Sequence, residues 1–236
     1  MRRILGLGLV FLVFPVLALD CKAQSIMKLA SQYRLALDEY ESRKSRSTLE
    51  SVFHKGTLMS DKYEELESLS ERDYEELKQI MRGFDVNREE IVFVEPDTRF
   101  FLRLATRFGS AADRSFFRLL VEIKPNNVWA SYFEQQTDYS GCTIYGNGKL
   151  TSLYGKATSF MHEYPKAYSN FIVAEIDGIL ENFDENICSC GGRSQVIREF
   201  SLFVRTFPND SNTPKIRNVL TKLRGRKDFR FNCKSG

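Results

Sequence analysis

The chain has 236 residues, 42% hydrophobic and 13% aromatic, enough apolar material for a packed core and too much for a disordered chain. Lys and Arg total 34 against 31 Asp and Glu, and a net charge of only +3 is poor evidence for nucleic-acid binding, so no nucleic-acid partner is expected. There is no phosphate-binding loop, Gly-x-Ser-x-Gly elbow or His-Glu-x-x-His pair, so no catalytic residue, cofactor or metal is expected.

The first element reads as an export leader. Arg2 and Arg3 precede an uncharged apolar run from Ile4 to Leu19, and Asp20-Cys21-Lys22-Ala23 then supplies small residues for cleavage after Ala23. The run falls short of the roughly 20 residues that a spanning helix needs, and Pro15 interrupts it. Residues 1–23 are therefore expected to be a cleaved signal peptide, with membrane contact only through the uncleaved leader. Cleavage removes three cations and one carboxylate, so the charge of +3 falls to +1. It also removes Cys21 and leaves Cys142, Cys188, Cys190 and Cys233. An even set in an oxidising compartment predicts two disulfides. Cys188 and Cys190 are too close to join each other readily, so each is expected to reach Cys142 or Cys233, in either order. A zinc site is disfavoured: Cys-x-Cys departs from the usual spacing, and only His54 and His162 are available.

Ile26, Leu29, Tyr33, Leu37 and Tyr40 recur at helical spacing and predict the first mature helix. Ser47-Thr48-Leu49-Glu50 matches a capping box and predicts a short helix to Lys55, stopped by Gly56. Residues 60–82 read as helix with a phase change near Ser70, a candidate internal cap, and an end at Gly83. The acidic stretch 61–76 reads as a solvated helix face. Ile91 to Val94 is either a short strand or a helical turn. Asp97 reads as the N-cap of a helix to Phe108, followed by one from Ala111 to Lys124 that Pro125 ends. Further helices are expected near 149–163, 166–183, 192–206 and 214–224.

Two echoes run through this pattern. Asp97-Thr98-Arg99-Phe100-Phe101 is repeated by Asp113-Arg114-Ser115-Phe116-Phe117, and Phe160 to Pro165 resembles Phe203 to Pro208. The second spacing falls in the range of paired-helix repeats. The expected fold class is therefore all-α: a multi-helix globular domain with a short HEAT-like α-solenoid as its candidate architecture. A boundary near 125–148 divides an N-terminal helical block, 24–125, from a disulfide-stapled C-terminal helical block, 126–236.

The candidate binding surface is Tyr139 to Gly148, where Tyr139, Tyr145 and Asn147 sit among turn-forming residues anchored by Cys142. Gly146-Asn147-Gly148 itself reads as a tight turn. His162 and Glu163 are the best acid–base candidates, although a histidine near a helix C-terminus is also explained by the helix dipole. The basic tail, Lys215 to Lys234, reads either as a contact for an acidic partner, an anionic membrane surface or a polyanion, or as intramolecular cover. The expectation is an exported, periplasmic or secreted, non-enzymatic binding protein whose partner is another protein, such as an inhibitor or immunity-type protein against a toxic enzyme. The alternatives are a peptidoglycan hydrolase with a concealed acid–base site and a structural envelope component.

Overall fold

A computed structural model describes the backbone of residues 14–43, 47–137, 140–185 and 188–225, with side chains from residue 25 onward. The chain is 62% helical, with two small sheets that the all-α expectation lacked. It divides into two compact units, Met1–Glu95 and Pro96–Gly236, so the division falls ahead of the 125–148 boundary expected from sequence. Among the described residues no helix is long and apolar enough to cross a membrane.

The first unit contains α1 (Phe14–Ser42), α2 (Leu49–Thr57), α3 (Tyr63–Glu67), α4 (Glu71–Ile80) and the strand β1 (Phe84–Asn87). The strand β2 (Phe93–Pro96) pairs with β1 and carries the chain to the division. The leader expected over 1–23 lies partly outside the described residues, and its predicted cleavage point falls inside α1. The predicted stripe holds, for Ile26, Tyr33 and Leu37 are fully buried. α1 packs against α2, α3 and α4. The Tyr33 hydroxyl donates to the Arg82 carbonyl at 2.5 Å, and burial pushes its pKa up.

Two local expectations shift here. The cap of α2 is Thr48 rather than Ser47, its side chain accepting from Ser51 N at 3.1 Å. Gly56 does not stop that helix. It is buried within α2, and a Cβ there would lie 2.2 Å from the Phe84 ring, so glycine serves close packing instead. Ser70 is a cap as predicted, accepting from Asp73 N. The β1 strand escaped the sequence pattern because four residues are too few to reveal a period of two.

The second unit contains α5 (Thr98–Phe108), α6 (Ala111–Ile123), β3 (Phe133–Thr137), β4 (Ser140–Thr143), α7 (Lys149–Glu163), α8 (Ser169–Glu181), α9 (Arg193–Thr206) and α10 (Thr213–Gly225). Asp97 caps α5 by accepting from Arg99 N and Phe100 N. The first echo brings Phe101 and Phe117 into a stack, with centroids 5.4 Å apart. Phe116 in turn stacks on Tyr168 at 3.9 Å. Asp113 closes the capping box of α6 with Ser110 and also accepts from the Tyr168 hydroxyl at 2.7 Å, so one buried carboxylate ties the starts of α6 and α8. The second echo marks two helix ends of the same form: Tyr164 N bonds Phe160 O, and Phe207 N bonds Phe203 O, each just before a proline. A shared way of ending helices accounts for that likeness without a solenoid.

β3 and β4 form an antiparallel hairpin with an irregularity between Gln135 and Thr137. Cys142 on β4 is bonded to Cys190, which selects one of the two pairings left open by the sequence. Thr143 also exchanges backbone bonds with the loop after α8, donating to Cys188 O at 2.8 Å and accepting from Cys190 N at 3.1 Å. Cys188 is likewise disulfide-bonded. Cys233 and the basic tail beyond 225 lie outside the described residues.

Candidate functional site

α7 packs against α6, α8 and α9, and its outer face floors a groove in the second unit. The start of α7 is unusual. Gly146 and Gly148 both have left-handed backbone, with φ of 84° and 77°. Gly148 occupies the N-cap and has no side chain to bond the exposed amides. Glu199, fully buried on α9, takes over that role. Its Oε2 accepts from Gly146 N at 3.0 Å and Gly148 N at 2.8 Å. Its Oε1 accepts from Thr151 N at 3.1 Å and from the Thr151 hydroxyl at 2.8 Å. A carboxylate at the positive end of a helix is favourably placed, and four donors offset the loss of its hydration. The α7 helix is thereby tied to α9 at one end.

Tyr154 ties α7 on another side. Its hydroxyl donates to Asp210 at 2.7 Å and accepts from Asn212 at 3.3 Å, and burial followed by the Asp210 bond pushes its pKa up to about 12.

The groove has a volume of about 730 Å³. Ser152, Lys156, Ser159 and Glu163 present their exposed side chains along its floor. Arg118 and Glu122 of α6 form one wall, and Leu202 and Phe207 form the other. Lys156 pairs with Glu122 and so links floor to wall. Gly155 lets Phe207 close onto the helix, since a Cβ there would meet that ring at 3.0 Å. The arrangement offers apolar contact on one side and exchangeable charges on the other. Among the described residues no three His, Cys, Asp or Glu gather as metal ligands.

The residues singled out from sequence fare differently. Glu163 lines the groove, whereas neighbouring His162 is exposed and does not. Glu163 bonds the Tyr164 hydroxyl and raises its pKa. Tyr145 is buried rather than displayed, donating to Asn182 O at 2.7 Å, and burial pushes its pKa up. Asn147 is exposed, but its side chain is engaged in the turn, accepting from Lys149 N at 2.9 Å. Tyr139 lies outside the described residues. Sequence reasoning missed Arg118, Ser152, Lys156 and Ser159. The small residues Gly148, Ser152, Gly155 and Ser159, three or four apart, were the available sign of a helix with one thinly covered face. No family model, curated protein or solved structure matches the chain.

Proposed function

We propose that this is an exported protein-binding protein whose groove over α7 receives a segment of a partner protein, in the manner of an inhibitor or immunity-type protein. The observation that carries this reading is the groove: open, partly apolar, and rimmed by exposed charges rather than by buried titratable groups. Such a surface suits a segment laid along a helix, where apolar side chains anchor and the rim selects. The disulfide between Cys142 and Cys190 supports an oxidising compartment, periplasmic or extracellular.

The test is affinity capture from native envelope extract with the wild-type protein and with Ser152→Trp, which fills the groove from an exposed position. The expected result is one protein partner retained by the wild type and lost by the variant. Recovery of no protein, or equal recovery by both, would overturn the reading.

One observation favours a second reading, peptidoglycan hydrolysis. Glu122 and Glu163 both line the same groove, as a pair of carboxylates must in a glycosidase. Both are exposed and Glu122 is paired with Lys156, whereas a glycosidase places its acid in an enclosed pocket. Digestion of peptidoglycan by the wild type, abolished in Glu163→Gln, would reverse the ranking.

A further inference from the structure

A one-sided charged surface lies on α5, which lends no residue to the lining of the groove. Its sequence, TRFFLRLATRF, contains three arginines and no carboxylate. Arg99, Arg103 and Arg107 follow one another at intervals of four, all exposed, on one side of the helix. The opposite side is spent: Phe101, Leu104 and Ala105 are buried in the core. Two guanidinium groups are held against aromatic rings, Arg107 at 4.7 Å from the Phe108 centroid and Arg103 at 6.0 Å from that of Phe100. Both rings are half-buried and thus fixed, which limits the entropy the arginines lose on binding. Asp97 lies a loose 3.7 Å from Arg103 and is already engaged as the cap.

We propose that this arginine row docks an acidic helix of the partner protein. The inference rests on the protein-binding reading and names the chemistry of what is bound. Four residues of helix rise about 6 Å, so the row presents three forks over roughly 12 Å. A second helix bearing glutamates every fourth residue repeats that interval, and each guanidinium fork matches a carboxylate. A lipid surface fits less well, because the apolar side of α5 is already buried and has nothing to insert. The acidic helices of a second copy also fit less well. Glu65, Glu71 and Glu75 are already paired with Lys62, Arg88 and Lys78.

The test uses the full chain and a synthetic alanine-based peptide of about 25 residues, long enough to be helical, with glutamate at every fourth position. A peptide of identical composition with its glutamates in one block is the comparison. The row predicts roughly tenfold tighter binding of the spaced peptide, falling as salt rises. Arg103→Ala weakens that preference. The triple variant Arg99→Glu, Arg103→Glu, Arg107→Glu, shown folded by its circular dichroism, loses the spaced peptide and gains its lysine counterpart. Equal binding of the two peptides, no binding of either, or tighter binding to phosphatidylglycerol vesicles or a single-stranded oligonucleotide overturns the inference. Ser152→Trp keeps the peptide and loses the envelope partner. Loss of the peptide in that variant removes the row from the interaction while leaving the groove reading intact.

Discussion

The two units use their acidic residues differently. In Met1–Glu95 the pairs of Glu41 with Arg82, Glu71 with Arg88 and Glu75 with Lys78 lie near the surface, and only Glu65, paired with Lys62, is drawn in among the described carboxylates that form ion pairs there. In Pro96–Gly236 two of them are taken inside: Asp113 is 9% exposed and Glu199 is 0% exposed, each bonded to the start of a helix. Exposed pairs contribute little, because water screens them and side-chain freedom opposes them. Buried carboxylates are costly unless fully bonded, and for that reason they enforce one arrangement of the elements around them. The first unit instead relies on fit, as in the Phe84 ring lying where a side chain on Gly56 would be.

The sharpest way to break this contrast is at Glu199. Glu199→Ala leaves three amides at the start of α7 without their acceptor and is expected to cost about 4 kcal/mol in denaturant unfolding. Glu199→Gln should cost about half as much, since one amide oxygen still accepts. Hydrogen exchange at Gly148 and Thr151 reports whether the loss is local to α7. In the first unit the comparable position is Gly56. Gly56→Ala drives a methyl group into Phe84 and should cost about 2 kcal/mol, visible as a lower denaturation midpoint.

A third test uses pH. Tyr132 and Tyr154 of the second unit have pKa values raised to about 12, in both cases chiefly by burial. The folded state thus holds these protons more tightly than the unfolded chain, whose tyrosines titrate near 10. Their contribution is complete below about pH 10 and is lost as pH climbs through about 12. Thermal midpoints should therefore decline across that window, and Tyr132→Phe should lessen the decline. A midpoint independent of pH there would mean that neither hydroxyl is as enclosed as described. The smallest effect belongs to the surface: Glu71→Gln should change stability by less than about 1 kcal/mol, and less still in high salt. A larger loss would erase the distinction between the units.

Much of the helical order was legible in the sequence, because helix ends are written locally. Asp97 and Ser70 cap where predicted, Pro125 follows α6 by two residues, and α7 spans the expected 149–163. Caps act within three or four residues, so the neighbourhood suffices to read them. The hairpins were harder. β3 and β4 are each no longer than five residues, too short to show a period of two, and the loop that the disulfide joins to β4 lies 48 positions further along the chain. The candidate site was only half visible. Glu163 was named in advance, while Arg118 and Lys156 acquired meaning only when α6 and α7 were set side by side.

The sequence by itself determined a mostly helical chain, most of its helix limits and a cysteine set suited to cross-linking. These follow from periodicity, capping chemistry and composition, which act over short stretches. Tertiary structure alone decided that Tyr145 is buried, that Gly56 admits Phe84, and that Cys142 takes Cys190 as its partner. It also decided that Glu199 serves as the cap of a helix that begins 50 residues before it. Each of these depends on which distant surfaces meet, and contact between residues far apart in the chain is set by how whole elements pack, not by the residues beside them.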